Sequence, residues 1–493
     1  MITIMGYKLE KIRFIEPGNY SPYKNSISNL LIYNKYIRNP STGLIILATI
    51  VKKMVNNTLM YSESISEILW DDIYNADIVF IGINTFNAIR GYEIADQIKK
   101  KSSALLVFGG IHASLNYVET IEHCDYVITG DGDESIVDFI EYYEQKFKNN
   151  DLKINFHGIV YKQHGQIINT GKREQPEKID TIPDRNLVYN YSRLAKRYDT
   201  LWVQVHASRG CPHNCSYCTI IQHFGQKIRK RTPENIVQDI KEAIAFQKRN
   251  IIPRLNTFVW ITDDNFAQDR NWAISVLRCI IENNIKYHFS VQARFEIGFD
   301  DELLKLMRKA GFIDLALGIE FLDNNSFIEF NKKSNYSDIL SAIKNIQKHD
   351  IGVRGLFIVG AENDTKGIGS KIAEFVIKNN IKGALVQSLF FTPGTPFFEK
   401  NKHRLMHQNW EKYNGNVVHY PINIAPDELQ DEIIIASKKI YSLRRLIYTF
   451  FHYKWINKIL FIGEYFWQKS MRNDLKKEIK NIKKIVINRN NIA

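Results

Sequence analysis

The sequence has no run of about 18 uncharged apolar residues, so a membrane-spanning helix is not expected. Its first eleven residues contain no apolar core and no small-residue cleavage site, so a secretory signal is not expected either. Cysteine is scarce, at 5 in 493 residues, and three of the five are clustered, which excludes a disulfide framework and suits a reducing cytoplasm. Excess positive charge is missing from most of the chain. Residues 438–493 hold 14 Lys/Arg against 3 Asp/Glu, so +11 of the net +13 lies there. The remainder is close to neutral, which argues against a nucleic-acid channel through the core.

What is present is ordinary for a soluble globular protein, 44% apolar and 24% charged, with length for two or three domains. The informative stretch is Cys211-Pro-His-Asn-Cys215-Ser-Tyr-Cys218, a C-x3-C-x2-C spacing. Residues 201–206 before it are apolar and β-branched enough for a strand, and Gly210 and Pro212 break that strand into a loop. Three thiolates on one loop can hold three irons of a 4Fe–4S cluster, leaving the fourth iron open, because no fourth cysteine is nearby. Zinc is a competing occupant, with His206, His213 or His223 completing the set, although structural zinc sites usually show paired cysteine spacings. A third reading is three buried thiols without metal. Cys124 and Cys279 lie in apolar segments and are expected to be buried and inert.

Strand-like and helix-like stretches alternate through residues 11–150. Strands are expected at 11–15, 77–82, 104–108 and 126–129, with helices at 42–55, 91–100 and from about 134 to 143. This order predicts a doubly wound, Rossmann-like parallel sheet, whose ligands bind beyond the C-terminal strand edges. Gly109, Gly110, Gly130 and Gly132 fall at those edges, where the backbone must approach a ligand closely. Residues 158–169 read as a small hairpin and 179–187 as a linker. Six further strands are expected at 201–206, 256–262, 286–292, 313–320, 353–359 and 384–391, separated by helices that include 233–247 and 301–310. Six βα units make an incomplete (β/α)6 barrel with its active site at the C-terminal strand ends, where Asp264, Gln292 and Glu320 stand. The last segment is helical, aromatic and basic. It reads either as a cap over the barrel mouth or as an interfacial surface resting on an anionic membrane.

With Tyr217 just before the last cysteine, the C-x3-C-x2-C motif resembles that of the radical S-adenosylmethionine (SAM) enzymes. The resemblance implies a 4Fe–4S cluster on Cys211, Cys215 and Cys218. It also implies SAM on the open iron and cleavage of SAM to a 5′-deoxyadenosyl radical, with electrons from a reductase, flavodoxin or ferredoxin. The order of the strand-end residues fits the same family, and implies SAM or substrate contacts at Asp264, Gln292 and Glu320. The first half looks like the cobalamin-binding domain that precedes the radical core in one large class, through Gly109-Gly110-Ile-His112-Ala113 and Gly130-Asp131-Gly132-Asp133-Glu134. Gly109, Gly110, Gly130, Gly132 and His112 are accordingly expected beside cobalamin, His112 as a polar contact and not a cobalt ligand. The loop at 16–24 contains no histidine, unlike the D-x-H-x-x-G loop of mutase-type domains. Cobalamin is therefore expected base-off, with no side chain on its lower face.

The implied division is a cobalamin-type domain at 1–150, hairpin and linker at 151–195, a radical SAM partial barrel at 196–400 and a helical region at 401–493. The implied activity is cobalamin-dependent methylation of an unactivated carbon in a small-molecule or lipid substrate. Radical cyclisation or rearrangement without methyl transfer, and a non-catalytic iron–sulfur or cobalamin-binding regulator, are the rivals. A general base is not required at the radical step, and the substrate cannot be read from the motifs. The expected location is cytoplasmic, with peripheral membrane contact if the basic segment is interfacial.

Overall fold

The computed structural model of the chain describes residues 8–18, 39–146, 149, 152–192, 202–247, 258–452 and 455–490. Two sheets carry the architecture. The first contains β1 (Lys11–Glu16), β2 (Asn57–Ser62), β3 (Ile78–Gly82), β4 (Leu105–Gly109), β5 (Tyr126–Ile128), β6 (Ile159–Gln163) and β7 (Gln166–Asn169), in the order β2-β1-β3-β4-β5-β6-β7. β1 to β5 are parallel, and the β6–β7 hairpin adds antiparallel to the β5 edge.

The strands are apolar on both faces because both faces are covered. Ile12, Phe14, Phe80 and Val107 pack under the helices Thr42–Lys52 and Gly132–Lys146, while Ile15, Val79, Ile81 and Phe108 pack under Ala88–Lys99. The first of these helices starts where expected: the Ser41 hydroxyl accepts from the Leu44 N–H at 3.4 Å. Two features differ from the expectation. β2 was not anticipated, since Asn57, Thr58 and Ser62 dilute its apolar pattern. The hairpin is part of the first sheet instead of a separate connector, so that sheet is mixed at one edge.

The second sheet is wholly parallel, in the order β15-β14-β13-β12-β11-β8. Its strands are β8 (Trp202–Val205), β11 (Phe258–Ile261), β12 (His288–Ala293), β13 (Phe312–Glu320), β14 (Gly352–Val359) and β15 (Gly383–Ser388). All six coincide with expected strands, apart from residues 201, 256 and 257, which lie outside the described residues. Helices such as Pro233–Gln247 and Asp301–Ala310 connect them. Asp301–Ala310 is delimited chemically: the Asp300 carboxylate accepts from the Leu303 N–H at 3.0 Å, and Gly311 closes the helix in the left-handed region.

The C-terminal helices are Pro426–Ile440, Leu443–His452 and Trp455–Asn490. The first packs on β15 and on the helix Ile368–Lys378. The Tyr441 hydroxyl accepts from the Ala384 N–H at 3.0 Å, and the Glu464 carboxylate pairs with Arg354. Ala384 and Arg354 lie near the first residues of their strands, so Tyr441 and the first turns of the last helix sit at the N-terminal end of the sheet. The expectation that the C-terminal aromatics cap the barrel mouth is therefore not met at Tyr441 and Phe461, whose rings meet at 5.4 Å at this end. The preceding segment does reach the other end: Trp410 packs edge-on against His112 at 5.4 Å, and its indole N–H donates to Glu119 at 2.8 Å.

Candidate active site

The cysteine loop is tied at its base. β9 (Ser208–Arg209) pairs antiparallel with β10 (Arg229–Lys230), which closes residues 210–228 into a loop. Gly210 enters it at φ +91°, and a Cβ there would collide with the Lys227 carbonyl, so this position requires glycine. The Cys211 N–H donates to the Gly225 carbonyl at 3.3 Å and the Ser216 N–H to the Phe330 carbonyl at 3.0 Å. The Ser216 carbonyl accepts in turn from the Phe397 N–H at 3.0 Å, and Tyr217 meets Phe330 edge-on at 5.5 Å.

All three loop cysteines are free, Cys215 buried and Cys211 and Cys218 half-buried. Burial pushes the Cys218 thiol up to about 12 and raises that of Cys211, to which the charges of Cys215 and Asp264 add. Holding these sulfurs as thiolates therefore requires local positive charge, which a metal cluster supplies. Three free thiols on one braced loop, with Cys124 and Cys279 committed elsewhere, fit a cluster bound at three irons. Cys124 is buried, its Sγ donating to the Thr120 carbonyl at 3.4 Å; Cys279 is only half-buried, beside Asn283. Among the described residues no three His, Cys, Asp or Glu are grouped about one point as ligands of a single metal ion.

The C-terminal edges of the two sheets face each other across a cavity of about 410 Å³. Gly109, Gly110, Gly130 and Gly132 form part of one wall; Gln204, His206 and Asp264 stand on the other, with Ile220, His223 and Phe224 from the cysteine loop. Gly110 sits at φ +97°, and a Cβ would lie 2.5 Å from the Ile83 carbonyl oxygen. Both ring nitrogens of His206 and Nδ1 of His223 are buried without a hydrogen-bond partner among the described residues. Burial, reinforced by Arg209, holds His206 well below its ordinary value, and burial brings His223 to about 4. Both rings are thus neutral, each with one donor and one acceptor.

The two walls are joined by charge. Arg209 donates to Asp133 at 2.5 Å and also to Asp131, which receives Arg229 as well. Burial pushes the Asp131 carboxyl up, but the Arg209 and Arg229 guanidiniums outweigh it and hold it below the ordinary range. The motif at 130–134 contains this clamp in Asp131 and Asp133, between and beside the glycines that mark it as a ligand edge. Two carboxylates beside those glycines, with an arginine two residues before Cys211, were the available signal.

Of the other strand-end residues, Asp264 and Glu320 stand near the cysteine loop. Burial, with Asp263 adding, pushes Asp264 up to about 7. Asp263 itself accepts from the Ala207 N–H and the Ser208 hydroxyl, each at 2.6 Å. Glu320 ends β13 at φ +66°, a backbone region that non-glycine residues seldom occupy and that clusters at functional sites. The Lys332 ammonium donates to Glu320 at 3.2 Å and to the Gly318 carbonyl at 3.0 Å. Burial and then the charge of Glu320 raise the Tyr217 phenol well above its usual value, which sets Glu320 beside the cysteine loop. Gln292 stands half-buried in β12 opposite Ala316 and, like Glu320, does not line the cavity.

His112 does not line it either. Its ring is buried, with Nδ1 3.2 Å from the Thr85 hydroxyl and Nε2 3.4 Å from the Asn116 amide nitrogen. Of the loop at 16–24, residues 19–24 lie outside the described residues.

Residues 205–376 match the family model of the radical SAM superfamily. The chain contains a radical SAM domain. Its radical SAM domain carries the three cysteines and implies a 4Fe–4S cluster and SAM as cofactors. The enzyme is 26% identical over 405 residues to the bacteriochlorophyllide d C-12(1)-methyltransferase of Chlorobaculum tepidum, covering 81% of this chain and 82% of that one. It is 26% identical over 367 residues to the anaerobic magnesium-protoporphyrin IX monomethyl ester cyclase of Cereibacter sphaeroides, covering 72% of this chain and 57% of the cyclase. In fold it is similar to OxsB, a cobalamin-dependent SAM radical enzyme solved with aqua-cobalamin and SAM bound. There the TM-score is 0.66 at 12% identity, covering 95% of this chain and 72% of OxsB.

Proposed function

We propose that this radical SAM enzyme is a cobalamin-dependent methyltransferase acting on an unactivated carbon of a small-molecule or lipid substrate. The observation that carries the reading is the cavity between two sheet edges, with the glycines of the first on one side and the cysteine loop of the second on the other. The similarity to a methyltransferase over four-fifths of both chains supports it. In this reading, residues 1–150 extended by the hairpin are the cobalamin-type unit, 196–400 an open (β/α)6 barrel and 401–493 the helical region.

When bound, the cluster and SAM supply a 5′-deoxyadenosyl radical and cobalamin supplies a methyl carrier. The chain's own residues perform the rest. Cys211, Cys215 and Cys218 hold the cluster from the braced loop. Gly109, Gly110, Gly130 and Gly132 let a large planar ligand approach the backbone. His206 and His223 offer it neutral hydrogen-bonding groups. Asp264, Glu320 and Gln292 bind SAM or substrate around the cysteines. Apolar walls keep water from a reactive radical. His112 is committed to Thr85 and Asn116, so it would serve as a brace behind Gly110. Paramagnetic resonance of the protein loaded with cobalt(II) cobalamin is expected to lack splitting from a histidine nitrogen.

The similarity to the cyclase favours, as a second reading, radical ring closure with the same parts and no methyl transfer. Incubation with methyl-labelled SAM, a reductant and an extract of the source organism separates the two. Labelled product together with 5′-deoxyadenosine supports methylation. 5′-Deoxyadenosine with an unlabelled product that has lost two hydrogens supports cyclisation. No 5′-deoxyadenosine from cluster-loaded protein would leave only the binding-regulator reading.

A further inference from the structure

The helix Leu443–His452 is amphipathic in the wrong sense for a buried element. Leu443, Ile447, Tyr448, Phe450 and Phe451 are exposed, Leu443 at 63% and Phe451 at 73%, while the side chain buried to 1% is Thr449. The Thr449 hydroxyl has no hydrogen-bond partner among the described residues. Leu443, Ile447, Phe450 and Phe451 are spaced along one helical face. A surface helix normally turns such a stripe to the core, and a contiguous exposed one marks an interaction site.

We propose that this face lies on a lipid bilayer bearing anionic headgroups. Cations border it: Arg444 is exposed beside Leu443, and the Lys458 ammonium stands 5.2 Å from the centre of the Phe450 ring. The segment from residue 438 onward also carries +11 of the chain's net charge of +13. Exposed aromatic and aliphatic side chains with basic flanks suit the interfacial zone, where a ten-residue helix about 15 Å long lies flat. Among the described residues no helix is long and apolar enough to cross a membrane, so the contact is with the surface. A second copy of the chain fits less well. A self-complementary contact would gather Arg444 and Lys458 of both copies into one small interface, and five side chains fall short of the roughly 800 Å² per partner of a stable dimer.

The geometry also fixes which end of the enzyme faces the bilayer. The Arg445 guanidinium donates to the Ile381 carbonyl, just before β15, and stands 5.6 Å from the centre of the Phe461 ring. The helix is therefore fastened at the N-terminal end of the second sheet, away from the cavity. Docking there tethers the enzyme and leaves the cavity open to the aqueous side. This inference does not depend on which radical reaction the enzyme performs.

The test is co-sedimentation of the full-length, cluster-loaded protein with phosphatidylcholine vesicles, with and without about 30% phosphatidylserine, at roughly 0.1 and 0.5 M salt. Wild type is expected to bind the anionic vesicles at low salt and to be released at high salt. Ile447→Ser/Phe451→Ser should weaken binding at least about tenfold, and Arg444→Glu should weaken it severalfold. All three positions are exposed, so iron content and unfolding midpoint should match wild type. No binding by wild type, or undiminished binding by the double variant, would overturn the proposal. So would a wild-type dimer that the double variant disperses, since that assigns the face to a second copy.

Discussion

Asp131, in the loop after β5, and Arg209, two residues before Cys211, form a buried ion pair that joins the first sheet to the cysteine loop. Asp131 also receives Arg229 from the other end of that loop, so one carboxylate holds both ends closed.

Asp131→Asn keeps the shape and removes the charge. Arg209 keeps Asp133, but Arg229 loses its carboxylate while remaining 1% exposed. Breaking a buried pair from one side costs about 3–5 kcal/mol. The expected outcome is a lowered urea midpoint together with an altered paramagnetic signal of the reduced cluster. A change in stability with an unaltered signal would show that the clamp holds the sheets together without positioning the loop.

Replacing Cys211, Cys215 and Cys218 together by alanine should abolish iron binding, against about four irons per chain in the reconstituted wild type. The loop should remain folded, because Gly210, the Ser216–Phe330 bond and the Phe397–Ser216 bond do not involve the thiols. Circular dichroism and iron analysis on the same sample check both halves. Wild-type iron content in the triple variant would end the cluster assignment.

Asp364 gives a prediction in pH. Its carboxylate accepts the Gly360 and Ala361 N–H groups at 2.6 and 3.1 Å in the loop after β14, and burial still raises it to about 6. Between an unfolded value of about 3.9 and that folded value the native state binds more protons, so stability falls as pH rises through this window, by up to about 3 kcal/mol. Asp364→Asn cannot ionise. The stability of wild type relative to the variant should therefore decline from pH 4 to pH 7 and then level off. Parallel urea curves that keep a constant offset across this range would contradict the assignment.

Much of this was legible in the chain because local patterns agree with the global ones. The strands of the second sheet keep apolar residues at most of their buried positions, and all six were found. The cysteine spacing named its chemistry directly. β2 escaped because an edge strand need not be apolar throughout, and β6–β7 was recognised as a hairpin without its partner, since pairing to β5 is a long-range fact. The Asp131–Arg209 pair lies 78 residues apart in sequence, and no local period encodes it. For the helix Leu443–His452 the sequence left two readings open, a cap over the barrel mouth or an interfacial surface, because only the assembled structure tells which way its apolar stripe faces. His206 was noticed only as a possible zinc ligand, because burial without a partner is invisible in sequence.

The cavity belongs to neither sheet alone. One wall is carried by β1, β3, β4 and β5 with the helix Thr42–Lys52, and the other by β8, β11 and the cysteine loop, so its width is set by how the two sheets meet. A small rotation about the Asp131–Arg209 contact would widen or narrow it without moving any lining residue relative to its own sheet. Such a joint can adapt to substrates of different size through substitutions along the seam, where no side chain touches the substrate, while the chemistry around Cys211, Cys215 and Cys218 stays unchanged.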